Sequence, residues 1–169
     1  VLMHRPTHEL AQVTAETVDY FNFADVPIAT DFLAEFDALV AALHSMGTEV
    51  VLVNEVLKDD PAALAYIAKR ANMTYTRDLA VMAPKGAVLC GMAIAGRQGD
   101  PAIIGKVFAK LGVPVIAALE PDGALEGGGV TFFRGDTVIV GACKRTNAAG
   151  AEIVPQDGAE PVEYLIPKG

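Results

Sequence analysis

Between residues 79 and 166 the chain spells the same succession of elements twice, and no other feature restricts its possible folds as much. From Leu79 the order is strand, turn at Gly86, strand ending near Cys90, loop carrying Arg97, helix, then strand at Val113. From Gly129 it is strand, turn at Gly135, strand ending near Cys143, loop carrying Arg145, helix, then strand at Val162. Lys85-Gly86 and Arg134-Gly135-Asp136 supply the turn chemistry of two hairpins. Each copy is thus a ββαβ unit. Such units bury their faces by stacking on neighbours, which predicts a propeller-like α/β array with a pocket where loops from several units converge.

The remaining elements follow from local patterning. Strands are predicted over 1–3, 49–53, 79–83, 87–92, 113–118, 130–133, 137–142 and 162–166 from apolar runs bounded by turn residues. Apolar residues at helical spacing, Phe32, Leu33, Phe36, Leu39, Val40 and Leu43, predict a helix that starts after Thr30 as N-cap and stops at Gly47. A second helix is predicted over 61–70, capped by Asp59 or Asp60 with Pro61 in its first turn. A third covers 101–111 after Asp100 and ends at Gly112. The helix after Asn147 meets Pro155 early, so either it is short or residues are missing between Val154 and Pro155.

Fifty-two per cent of the 169 residues are hydrophobic, more than a small globule needs, so surplus apolar surface is expected to be covered by something else. The net charge of -8 argues against nucleic acid or an anionic membrane as partner, since both call for a basic face. Two cysteines make no disulfide framework, and no apolar run approaches bilayer length. A cytoplasmic location is the simple expectation.

The charged residues fall in a suggestive order. Asn72-Met73-Thr74-Tyr75-Thr76-Arg77-Asp78 comes first, then Leu125-Glu126-Gly127-Gly128, then Arg145-Thr146-Asn147, all at predicted strand ends. A carboxylate in the plane of a guanidinium accepts two parallel N–H bonds, and Asp78 and Glu126 could each provide one. Arg97 and Arg145 could grip an amino-acid carboxylate in the same forked way. Taken singly, Arg77-Asp78 and Lys144-Arg145 read more readily as solvated strand ends with loosely paired charges.

The whole series resembles the arginine deiminase branch of the guanidino-group-modifying, or pentein, superfamily. His4-Arg5-Pro6-Thr7-His8-Glu9-Leu10 looks like its opening strand and turn, and Phe23-Ala24-Asp25-Val26-Pro27, Glu35-Phe36-Asp37 and Glu49-Val50-Val51-Leu52 continue it. Thr76-Arg77-Asp78, Glu126-Gly127-Gly128 and Arg145-Thr146-Asn147 then follow in the family's order. The resemblance implies a pentein-type α/β propeller of ββαβ modules, about three of the family's five, so that residues 1–169 form one domain or its N-terminal portion. It implies that Asp78 grips the substrate guanidinium and that Glu126 sits beside the same group and orients a catalytic histidine. It also implies that Asn72, Arg97 and Arg145 hold the carboxylate end while Tyr75 walls the pocket. Relatives acting on dimethylarginine, and the amidinotransferases, share parts of the signature. Gly129 departs from it, since an acidic residue usually follows the Glu-Gly-Gly.

By the same resemblance the reaction is hydrolysis of a guanidino carbon to a ureido product, arginine to citrulline and ammonia, with no metal or organic cofactor. A cysteine thiolate attacks in that chemistry, and it needs a neighbour that lowers its pKa. Cys90 and Cys143 both lie in apolar strand patterns and are expected to be buried small hydrophobes. His4, His8 and His44 read as structural or solvated, and nothing groups them with metal ligands at usual spacings. The family's histidine and cysteine follow the Arg-Thr-Asn motif, so the nucleophile is expected outside residues 1–169. The expected partner is a small arginine-like guanidino compound, with a homo-oligomer or association with a C-terminal portion. A guanidino-binding pseudoenzyme, a subunit that completes a propeller with another chain, and a dimethylargininase or amidinotransferase stand as the alternatives.

Overall fold

A short parallel pair opens the chain. Strand β1 (Leu2–Met3) lies beside β2 (Val51–Leu52), Leu2 opposite Val51 and Met3 opposite Leu52. Between them come α1 (Val18–Phe21) and α2 (Ala29–Ser45). Asn22 ends α1 in the left-handed region at φ 57°, which Asn tolerates better than most residues. Helix α2 starts before Thr30: Phe32 N–H donates to Ile28 O at 3.0 Å, and Ile28 caps it without a side-chain bond. Gly47, at φ 76°, stops it as expected. Phe36 alone among its residues is fully buried, and Ile28, Leu39 and Met46 stay exposed. Arg5 clamps α2 to the start of the chain through two parallel N–H bonds to Asp37, each 2.8 Å.

The predicted strand 49–53 is curtailed because Val53 already begins a one-turn helix, α3 (Val53–Val56). Helix α4 (Pro61–Ile67) follows, and Asp60 caps it by accepting from Ala63 N–H at 2.9 Å. It ends three residues before the predicted 70, since Lys69 and Arg70 donate to Tyr66 and Ile67 in tight i→i−3 bonds. Two 3-10 turns, Ala71–Thr74 and Thr76–Asp78, then occupy the stretch read as a strand end.

Both copies of the repeat fold with the same connections. In the first, β3 (Ala80–Ala83) pairs antiparallel with β4 (Gly86–Leu89), and α5 (Asp100–Leu111) carries the chain to β5 (Val115–Ala118), parallel to β4. In the second, β6 (Val130–Arg134) pairs antiparallel with β7 (Thr137–Gly141), and α6 (Ala148–Glu152) leads to β8 (Glu160–Tyr164), parallel to β7. Ile103, Ile104, Val107 and Phe108 form the buried stripe of α5, a helical i, i+1, i+4, i+5 pattern. Gly99 rather than Asp100 is its N-cap, and Gly112 closes it at φ 70°.

The structure, a computed structural model, describes residues 1–134, 137–152 and 160–164. The turn residues Gly135 and Asp136, the Val154-Pro155 junction and the last two residues of the predicted strand 162–166 lie outside them. The chain divides into two compact units, Val1–Thr76 with Ile94–Arg97, and Arg77–Ala93 with Gln98–Gly169. No helix among the described residues is long and apolar enough to cross a membrane.

The first unit has a polar knot beside its core. His4 Nε2 lies 2.7 Å from Glu9 Oε1, Thr7 N–H donates to the same oxygen at 2.9 Å, and the Thr7 hydroxyl donates to Oε2. His4 and Glu9 are 2% and 1% exposed. Burial alone would push the Glu9 carboxyl up, but bonds from His4, Thr7 and nearby backbone N–H groups hold it down at about 2. A depressed carboxyl stabilises the fold fully above its unfolded pKa and less as pH falls toward the folded value. The contribution, at most about 3 kcal/mol, should therefore disappear between about pH 4.5 and 2. Urea midpoints of the parent and of Glu9→Gln should differ most at pH 7 and converge in that window.

Candidate functional site

In the second unit, two turns far apart in sequence press on each other. An added Cβ on Gly127 would lie 2.3 Å from Arg77 O and 2.8 Å from Ala80 O, and one on Gly128 would lie 2.6 Å from Asp78 Oδ1. At Gly127, where the facing atoms are backbone carbonyls, only glycine permits this approach, so the Glu-Gly-Gly spacing is a packing requirement that lays the segment after Glu126 against Arg77-Asp78. Arg77 reinforces it by donating from Nη2 to Val130 O at 2.9 Å. At Gly129 a Cβ would be 3.7 Å from Thr146 Oγ1, in ordinary contact, so a side chain fits there.

Glu126 is 4% exposed, and the Arg145 guanidinium meets it at 3.1 Å with Arg145 itself half exposed. Asn147, two residues on, grips the segment leading to Glu126. Its Oδ1 accepts from Ala124 N–H at 3.0 Å and from Gly150 N–H at 2.9 Å. Its Nδ2 donates to Asp122 O at 2.7 Å, and its backbone N–H donates to Ala124 O at 3.0 Å. Leu125, fully buried, bridges to Gly91 and donates to Gly91 O at 2.9 Å. Sequence reading singled out Asn147 as part of a motif without giving it a task; an Asn just before a helix was the available signal.

The two cysteines differ. Cys90 is buried as expected, at 4% exposure. Burial pushes its thiol up to about 12, and the charges of Asp78 and Glu126 add to this, against a Gly127 backbone hydrogen bond and Arg77 that act the other way. Cys143 is exposed, contrary to expectation. Strand β7 ends at Gly141, and Cys143 starts a tight turn in which Thr146 N–H donates to Cys143 O at 3.1 Å and Arg145 N–H to Cys143 Sγ at 3.4 Å. With its thiol pushed up to about 12, Cys90 stays protonated at pH 8. A thiol-reactive label applied to the native protein should therefore mark the Cys143 peptide and leave the Cys90 peptide unmodified, as read by peptide mass spectrometry.

The first unit gathers the other three candidates. Asn72, buried, donates from Nδ2 to Phe21 O at 2.9 Å, and its backbone carbonyl accepts from Tyr75 N–H at 3.0 Å. Arg97, 4% exposed on the 3-10 turn Ala95–Arg97, donates to Tyr75 O at 3.2 Å, and its guanidinium lies 5.9 Å from the Tyr75 ring centre. Tyr75 in turn leans on Phe23, with ring centres 6.1 Å apart. Gly96 makes the turn possible, because a Cβ there would meet Tyr20 O at 2.6 Å, and Arg70 ties it by donating to Gly96 O at 3.0 Å.

The six candidates thus form two groups, Asn72, Tyr75 and Arg97 in one unit and Asp78, Glu126 and Arg145 in the other. Sequence reading missed a cavity of about 380 Å³ in the second unit, at the ends of β4 and β5 beside the first turn of α5. Cys90, Met92, Ala102, Leu119 and Pro121 are among its lining, and none of the six candidates is. No group of three or more metal-ligating side chains occurs among the described residues.

These sheets and their connections are those of a pentein-type α/β propeller built of ββαβ modules. A solved dimethylarginine dimethylaminohydrolase, a histidine-to-glycine variant as its adduct with S-methyl-L-thiocitrulline, aligns with a TM-score of 0.73 at 18% identity. The alignment covers 99% of this chain and 61% of that one. The enzyme of Pseudomonas aeruginosa, a cysteine-to-serine variant complexed with citrulline, matches equally, at TM-score 0.73 and 18% identity over 99% of this chain and 61% of that one. In sequence the chain is 31% identical over 151 residues to the N(G),N(G)-dimethylarginine dimethylaminohydrolase of Streptomyces coelicolor, across 89% of this chain and 52% of that protein. The chain therefore spans about half the length of this curated relative. No protein-family model matches it.

Proposed function

We propose that this chain supplies the guanidino-recognising part of a hydrolase that acts on dimethylarginine. Water adds to the guanidino carbon, the bond to the dimethylated nitrogen breaks, and citrulline and dimethylamine leave. The observation that carries this reading is the glycine-walled junction at which Gly127 and Gly128 hold the Glu126 segment against Arg77-Asp78. Two carboxylates presented together match a planar cation whose N–H groups point in several directions. Asp78 takes the guanidino group and Glu126 sits beside it, its own charge steadied by Arg145 at 3.1 Å. In the first unit, binding of the amino-acid carboxylate by Asn72 and Arg97, with Tyr75 as an aromatic wall, is supported by the gathering of those three residues.

Dimethylarginine takes precedence over arginine because the sequence relative at 31% identity is named for the former. The reading gives the attack to a cysteine thiolate outside residues 1–169. Its support is that Cys90 is held protonated.

The test is incubation of the protein carrying this chain with dimethylarginine and, separately, with arginine, followed by assay of ureido product. Citrulline from dimethylarginine well above that from arginine is expected. Citrulline from arginine in preference would restore the deiminase reading. Calorimetric binding of dimethylarginine with no product would favour a non-catalytic binding protein instead.

A further inference from the structure

We infer that Asn147 is a positioning residue that fixes Glu126 through a side-chain staple, an inference that rests on the guanidino-hydrolase reading. Asn147 caps α6 in the ordinary way, its Oδ1 accepting from Gly150 N–H at 2.9 Å. A cap, however, needs only that one bond. The same oxygen also accepts from Ala124 N–H at 3.0 Å, Nδ2 donates to Asp122 O at 2.7 Å, and the backbone N–H donates to Ala124 O at 3.0 Å. Three of these four bonds therefore leave the helix and seize the two residues that lie four and two positions before Glu126.

The surroundings are shaped for this grip. Gly150 stands in the first turn of α6, where a Cβ would fall 1.9 Å from Ala124 O, so glycine lets the helix close on the loop. Leu125, fully buried and bonded to Gly91 O, fixes the far side of the same segment. Asn147 also follows Arg145, the cation of the 3.1 Å pair, by two residues. Glu126 is held by the backbone before it on one side and its charge partner on the other, and the first hold depends on this amide. An amide is required because the site needs an acceptor for two N–H groups and a donor for a carbonyl at once.

Asn147→Ser tells the staple from the cap. Serine still caps the helix, but its short hydroxyl does not reach both Asp122 O and Ala124 N–H. In the protein carrying this chain, Asn147→Ser is expected to lower kcat for dimethylarginine about 100-fold, the cost of a misplacement on the order of 1 Å, with KM changed far less. In a Glu126→Gln background the same substitution should add almost nothing, because both act on one group. Hydrogen exchange supplies a readout that does not depend on turnover: Ala124 N–H should lose protection in Asn147→Ser while Gly150 N–H keeps it. Parent-like kcat, a full additive loss in the double variant, or unchanged Ala124 protection would each overturn the inference. A parent protein that turns over no guanidino compound would instead overturn the functional reading, leaving the exchange result to judge the staple.

Discussion

Asp78→Ala is expected to cut formation of ureido product sharply, with a loss in kcat/KM of roughly 30- to 5000-fold. That range corresponds to the 2–5 kcal/mol lost when one member of a close hydrogen-bonded charge pair is truncated. Asp78 is half-buried and lies against Gly128, so the carboxylate is set in place by packing before any substrate arrives. Removing it leaves a planar cation facing backbone and the remaining Glu126 in a partly dry setting, where an unmatched charge is costly. Asp78→Asn separates charge from shape: the amide fits the same space, yet it carries no charge and presents N–H groups to a donor-only ligand. Both variants should show weaker binding of dimethylarginine in calorimetry together with the fall in turnover. Parent-like turnover in Asp78→Ala would remove Asp78 from the site and with it the central contact of the proposed function.

The repeat was legible because strand length, hairpin turns and helix stops are local properties. Gly86, Gly112 and the apolar stripe of α5 carry their meaning within a few residues, and the connections β3-β4-α5-β5 and β6-β7-α6-β8 followed. Arg97 could be picked out only through its place in the repeat, yet it is among the most buried charged residues described. Short elements were lost: α3 has four residues, too few to show a period, and α4 ended early where i→i−3 bonds tightened its last turn. Cys143 misled because the apolar run from Val138 continues past the hydrogen-bonded strand into an exposed turn. The junction of Glu126-Gly127-Gly128 with Arg77-Asp78 was out of reach altogether. Nothing in either segment says which carbonyl a glycine 50 residues away will face.

Gly127→Ala should be costly out of proportion to the one methyl group added. Its Cβ would fall 2.3 Å from Arg77 O and 2.8 Å from Ala80 O, and neither is the end of a flexible side chain. Relief requires the turn Gly127–Gly129 to move away from the Arg77–Ala80 backbone, which also carries Asp78 and begins β3. Overpacking of this kind costs about 1–3 kcal/mol in stability, readable as a lower urea midpoint at unchanged slope. The same movement shifts the segment that carries Glu126 relative to Arg77-Asp78, so turnover should fall further than the stability loss alone explains. Gly129→Ala is the matched control, two positions along in the same turn. Its Cβ would meet only Thr146 Oγ1 at 3.7 Å and Gly141 O at 3.9 Å, and its backbone is not in the left-handed region. It should stay within about 0.5 kcal/mol of the parent. Equal midpoints for the two alanine variants would mean that the two turns are not in the contact from which the site is built. A drop confined to Gly127→Ala ties the glycine of the motif to the placement of the two carboxylates, and hence to the reason the motif exists.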